Sequence, residues 1–199
     1  MEKLFLDIET LPAGEESHST LEFLRAKKNK NKEEDFEQYL LKTSFDGAFG
    51  RILCIGYAID DNPVEILYIQ DNEKAMLEKF WEIAREADLF IGHNVMDFDL
   101  RFIYQRSIIN KVKPTKELIF ARYRNNPIYD TAKEWSKWSN TYIGLERLAL
   151  ALGIPSPKEE IDGAQVYEFY KKGKIKEILD YCKKDVETAR EVYKRLTFS

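Results

Sequence analysis

The amino-acid sequence predicts an α/β fold, with a mixed central sheet of about five strands flanked by helices. Three observations carry this. Two runs, KLFLDI (residues 3–8) and RILCIGYAID (51–60), are apolar on both faces, as strands covered on both sides of a sheet are. VEILYIQ (64–70) follows the turn-forming Asp60-Asp61-Asn62-Pro63 and makes a hairpin with the strand before it. Helical and extended patterns then alternate. NEKAMLEKFWEIAREA (72–87) sets Met76, Leu77, Phe80, Trp81, Ile83 and Ala84 at helical spacing, LFIGHN (89–94) returns as a strand, and most of the remainder reads as helix.

At 199 residues the chain suffices for one well-buried core, so one domain over residues 1–199 is expected, interrupted by a polar insertion at about 15–46. That insertion contains RAKKNKNKEED (25–35), a charge-dense run between short apolar clusters at Phe23-Leu24 and Tyr39-Leu40-Leu41. It reads as a solvated, mobile segment; the alternative is that Arg25, Lys27, Lys28, Lys30 and Lys32 touch phosphates. The net charge of -4 argues against a protein that coats duplex nucleic acid by bulk charge, so any nucleic acid must be held locally. Cys54 and Cys182 lack metal-ligand spacing and read as core thiols in a reducing compartment. No secretory leader and no apolar run of about 18 residues is seen, so a cytoplasmic protein without a membrane partner is expected.

The first strand poses a chemical question, because Asp7 and Glu9 stand at the end of an apolar run. Alternation points Phe5, Asp7 and Glu9 to one face and Leu4, Leu6 and Ile8 to the other. The two carboxylates, with Cα atoms roughly 7 Å apart, can reach one Mg²⁺ or Mn²⁺, or they are simply solvated where the strand ends. Two further acidic stretches bear on the choice. IGHNVMDFDLRFI (91–103) leaves a strand through His93-Asn94 and enters a helix with Asp97 and Asp99 on its first turns. Asp97 reads as a cap or first-turn acid, and His93 as a residue that orders the turn. EILDYCKKDVETAREVY (177–193) is a helical run that sets Tyr181 and Asp185 on one face. Asp185 could equally be a surface partner of Lys184 or Arg190, and Tyr181 an ordinary core tyrosine. Asp130, Trp135 and Trp138 read as structural, the tryptophans as packing anchors.

FLDIET (5–10), NVMDFD (94–99) and YCKKD (181–185) resemble, in order, the three motifs of the DEDD-superfamily 3′-5′ exonucleases, which have the RNase H-like (DnaQ-like exonuclease) fold. Tyr181 four residues before Asp185 resembles the tyrosine (DEDDy) subtype; the histidine subtype would place a histidine where this chain has Asp180. The second motif and GRILCIGYAI (50–59) are similar to the proofreading domain of family B DNA polymerases. The resemblance covers almost the whole chain and is weakest over the insertion.

It implies a catalytic set of Asp7, Glu9, Asp99, Tyr181 and Asp185, in which the four acids hold two divalent metal ions, Mg²⁺ or Mn²⁺. It implies substrate contacts at Thr10, Leu11, Asn94 and Phe98, with core packing the rival reading for Leu11 and Phe98. The implied activity is hydrolysis of single-stranded DNA from the 3′ end to nucleoside 5′-monophosphates. The alternatives are an RNase D-like exoribonuclease and a non-catalytic module that binds nucleic-acid ends. Single-stranded nucleic acid is the expected partner, DNA favoured over RNA. With no polymerase or helicase domain expected beyond the last helix, the chain acts alone or joins replication or repair proteins non-covalently. Residues 101–126 carry seven Lys or Arg against one acid, Glu117, and read as a strand-binding rim or a solvated surface, with Tyr104 and Tyr123 placed to stack on bases.

Overall fold

A computed structural model describes residues 1–28, 35–69, 72–155 and 163–199. Five strands form one mixed sheet in the order β3-β2-β1-β4-β5. The central strand β1 (Lys3–Leu11) pairs antiparallel with β2 (Arg51–Ile59), which pairs antiparallel with β3 (Glu65–Tyr68). On its other side β1 runs parallel to β4 (Leu89–Gly92), and β4 runs parallel to β5 (Ile128–Asp130). The hairpin and the first four strands stand where the sequence puts them, although Gln70, in the expected third strand, lies outside the described residues. The three-residue β5 falls in IYD, which the sequence leaves without a strand.

Period-two alternation in β1 feeds two cores. Leu4, Leu6 and Ile8 pack with Phe80 and Trp81 of α3 (Glu73–Ile83) and with Leu100 and Ile103 of α4 (Asp99–Ile109). Phe5, on the other face, packs with Val186 and Tyr193 of α8 (Ile175–Thr197). Helix α8 buries Ile178, Cys182, Val186, Ala189 and Val192, a stripe at helical spacing, and lies on β1, β2 and β4. Gly56 permits that approach. A Cβ there would stand 2.9 Å from Cys182 Sγ and 3.0 Å from Val186 Cγ2, and Gly56 pairs directly with Asp7.

The insertion corrects an expectation. Its described residues form α1 (His18–Lys28) and α2 (Phe36–Lys42), and Leu21 and Leu40 pack with Ala13 into a small core of their own. Their charged positions face water while one apolar side per helix is buried, so charge density hides structure here. Lys30 and Lys32 lie outside the described residues, and Arg25 stands over the Phe36 ring at 5.8 Å. A 3-10 turn, Thr43–Phe45, then leads into β2. Helices α5 (Thr131–Ser136), α6 (Leu145–Ala151) and α7 (Val166–Lys171) complete the layer beside α8.

Among the seven cations of residues 101–126, Arg106 is buried and unavailable as a rim. It pairs with Glu73 at 2.7 Å, and Glu73 also accepts the Ile52 N–H at 2.9 Å, which ties α3, α4 and β2 together. Lys116 donates to the Ala87 carbonyl. Tyr104 and Tyr123 are exposed. Trp138 packs against the main core as an anchor, but Trp135 is exposed, because α5 is only six residues long and turns its other side inward. No described helix is long and apolar enough to cross a membrane.

Candidate active site

Strand β1 carries Asp7 and Glu9 to the region where α4 begins and α8 crosses the sheet. The register slips between Glu9 and Thr10, where the partner strand skips from Cys54 to Ile52. Glu9 is buried, and Asp7 has one carboxylate oxygen, Oδ2, that is buried and meets no hydrogen-bond donor. An oxygen of Asp7, an oxygen of Glu9 and Cys182 Sγ all lie within 4.8 Å of one another.

The other two acids come from the helices. Asp99 opens α4 and is 3 % exposed; its Oδ1 accepts the Ile8 N–H at 2.9 Å, which fastens the helix start to the backbone between Asp7 and Glu9. Asp185 is half-buried on α8. Burial raises the Asp7 carboxyl well above the usual carboxylate range, and the charges of Asp99, Asp185 and Glu9 push it further. Burial pushes Asp99 up to about 7, against the pull of backbone N–H donors including Ile8 and with repulsion from Asp130 and Asp185. The charges of acids on β1, α4 and α8 thus act on one another, and the atoms held within 4.8 Å are those of Asp7, Glu9 and Cys182.

Tyr181 is half-buried on α8 and its hydroxyl is hydrogen-bonded to Asp185. Burial, then the charges of Asp185, Glu9 and Asp7, hold the phenol far above its ordinary range, so it stays neutral at physiological pH. Next to it, Cys182 sends Sγ toward the Asp7 carbonyl at 3.6 Å and hydrogen-bonds Cys54. Both thiols are free and fully buried; the hydrogen bond to Cys54, then burial, raise Cys182 well above its usual range. The core-thiol expectation holds for their burial, but it misses their nearness to the acids. The signal was available, since residue 182 shares a helix face with 178, 185 and 186.

The remaining sequence candidates fall in different places. Thr10 donates from Oγ1 to Ser44 O at 2.7 Å. The Leu11 side chain is 1 % exposed and packs with Leu53, Val166 and Ile178, which leaves its backbone for any contact. Phe98 is half-buried beside the main core, 5.6 Å from the Phe102 ring. Asn94 takes a left-handed backbone, φ 60°, and donates its N–H to Asp130 Oδ1 at 3.0 Å. Asp97 precedes α4 and caps nothing; it pairs with Lys133 at 2.6 Å and more loosely with Arg101 at 3.7 Å. Arg190 is likewise committed, donating to the carbonyls of Asp60 and Asn62 rather than serving as a partner for Asp185.

Asp130 and His93 build the loop that presents Asp99. Asp130 accepts backbone N–H groups from Asn94, Met96, Ala132 and Lys133, and burial raises its carboxyl despite them. His93 Nε2 donates to the Ile143 carbonyl at 2.8 Å, which leaves Nδ1 to accept from the Thr131 hydroxyl at 2.9 Å; burial lowers its pKa and keeps the ring neutral. The following Tyr142, which the sequence does not single out, is raised by burial and then by Asp130, Asp99, Asp185 and Asp7. Tyr142 is 68 % exposed and its ring lies 6.2 Å from that of His93.

A mixed five-stranded sheet with acids gathered where its central strand meets two helices is the architecture of an RNase H-like exonuclease fold. Residues 48–199 match the family model of predicted 3′-5′ exonucleases related to the exonuclease domain of PolB, and the chain belongs to that family. The matched span holds Asp99, Tyr181 and Asp185, whereas Asp7 and Glu9 precede it. No curated protein matches the chain.

Proposed function

We propose that this protein is a 3′-5′ exonuclease that removes nucleoside 5′-monophosphates from the 3′ end of single-stranded DNA. The observation that carries the reading is electrostatic. Asp7 Oδ2 is buried without a donor amid Glu9, Asp99 and Asp185, an arrangement that calls for positive charge. Hard carboxylate oxygens suit Mg²⁺ or Mn²⁺, and Asp7, Glu9, Asp99 and Asp185 would hold two such ions. When bound, the ions supply the water activation and charge stabilisation that phosphodiester hydrolysis requires.

The chain's own groups do the rest. The Ile8 N–H holds the Asp99 carboxylate in place before any ligand arrives. Tyr181 gives its only proton to Asp185, so its phenol oxygen is left as an acceptor. A water that donates one hydrogen to that oxygen turns a lone pair toward the phosphorus. Tyr181 is thus a positioning group and no general base, since its proton is held too tightly to leave at neutral pH. The water oxygen bonds to phosphorus as the P–O3′ bond breaks; the water gives up a proton to solvent and the departing O3′ takes one from solvent, so the strand keeps a 3′-hydroxyl.

The test is digestion of end-labelled single-stranded DNA, RNA and mismatched primer-template with Mg²⁺ or Mn²⁺. Stepwise loss from the 3′ end is expected, DNA before RNA. Asp7→Ala should abolish it and Tyr181→Phe should lower kcat about 10- to 100-fold, by analogy with the loss of one positioned hydrogen-bonding group. Undiminished hydrolysis by Asp7→Ala would remove the proposal.

A further inference from the structure

The turn that closes the insertion ends in an aromatic ring that the core does not use. Phe45 is 68 % exposed, yet its backbone is pinned from two sides. Thr10 Oγ1 donates to Ser44 O, and Thr43 Oγ1 accepts the Ala13 N–H at 2.9 Å. Thr10 directly follows Glu9, so the tether starts on the acid-bearing strand. At the other end, the Phe45 ring lies 6.2 Å from the ring of Phe98, the residue just before Asp99. The two rings therefore join β1 and α4, two of the three elements that carry the acids.

They meet at 50°, a tilted contact that leaves the outer face of Phe45 open. Beside them lies a groove of about 220 Å³, with Arg101 on its wall together with Asp46 and Asp97. Arg101 is half in water and its contact with Asp97 is loose, at 3.7 Å, while Asp97 holds Lys133 at 2.6 Å. Arg101 can thus turn to a phosphate and leave Asp97 still neutralised. A flat apolar ring plus an exchangeable guanidinium next to an acid cluster suits an unpaired nucleotide better than an apolar peptide, which would find no use for the cation.

We propose that Phe45 is a base-stacking residue that seats the unpaired 3′-terminal segment of the substrate strand and makes the insertion a determinant of single-strand preference. This rests on the nuclease reading above. Every base offers a π-face, so the contact selects unpaired ends without reading sequence. A base inside a duplex has its faces covered by its neighbours.

The experiment uses the full chain and oligonucleotides ending in 2-aminopurine, single-stranded or in a matched duplex. Phe45→Ala should raise KM for the single strand about 5- to 100-fold, the value of one aromatic–base stack, with kcat within about twofold. Phe45→Leu should match Phe45→Ala because it keeps bulk and loses the flat face, whereas Phe45→Trp should restore the wild-type KM. On the duplex end KM should move less than about twofold, since the duplex forgoes the stack. In the Asp7→Ala background, fluorescence quenching of the terminal 2-aminopurine on binding should weaken when Phe45 becomes Ala. Unchanged KM and quenching in a folded Phe45→Ala, beside an active wild type, overturn this inference and leave the nuclease reading standing. A wild type that neither cuts nor binds the oligonucleotide overturns both.

Discussion

Replacing Asp99 by Asn separates what the candidate centre costs the fold from what it contributes to chemistry. Asp99 titrates at about 7 in the folded chain against an ordinary 3.8, so the folded state binds this proton more tightly than the unfolded state. Stability is therefore present in acid and lost as pH rises between these two values. At about 1.4 kcal/mol per unit, the charged carboxyl costs the metal-free fold about 4 kcal/mol at pH 8. Asn keeps an oxygen for the Ile8 N–H and removes the charge. In metal-free buffer at pH 8 the variant should be more stable by about 2–4 kcal/mol, a rise in Tm of about 5–15 °C for a chain of this size. At pH 4 the advantage should shrink below about 1 kcal/mol. Thermal unfolding followed by circular dichroism at pH 4, 6 and 8 reads all three values, and nuclease activity should be lost throughout. A variant less stable than wild type at pH 8, or an advantage that does not change with pH, would refute the electrostatic argument.

Other perturbations probe the frame around the acids. Asp130→Ala strips an acceptor from four backbone N–H groups and should cost about 2–4 kcal/mol in urea unfolding, the range for orphaned buried donors and a lost cap. Gly56→Ala drives a methyl into Cys182 and Val186, so it should destabilise by about 1–3 kcal/mol. It should also lower kcat by displacing Tyr181 and Asp185 on α8, which steady-state kinetics on a labelled oligonucleotide will register. Mn²⁺ or Mg²⁺ should raise Tm more at pH 8 than at pH 5.5, because the raised Asp7 and Asp99 carboxyls must lose protons to accept a cation. A thermal shift that is flat across that range would count against these residues as ligands.

The sequence makes plain whatever repeats locally. Period two in β1 sorts Leu4, Leu6 and Ile8 from Phe5, Asp7 and Glu9, and the helical stripe of α8 sets Tyr181 and Asp185 together. What stays hidden depends on partners far along the chain. The three residues of β5 are too few for a pattern and exist as a strand through β4. Arg106 looks like its six neighbouring cations until Glu73 claims it from another helix. Leu21 and the Tyr39-Leu40-Leu41 cluster lie on either side of a charged run, and their core forms only where Leu21 and Leu40 meet Ala13. Phe45 carries no periodic signal, since its place comes from the Thr10–Ser44 hydrogen bond. The bulge after Glu9 is likewise a matter of pairing and not of composition.

Gathering carboxylates from residues 7, 9, 99 and 185 has a temporal corollary. A chain still on the ribosome has all the strands of its sheet long before it has the helix that lies across them. Until residue 185 emerges and docks, the growing polypeptide lacks one acid of the cluster. The four carboxylates therefore come together last, with the closing helix.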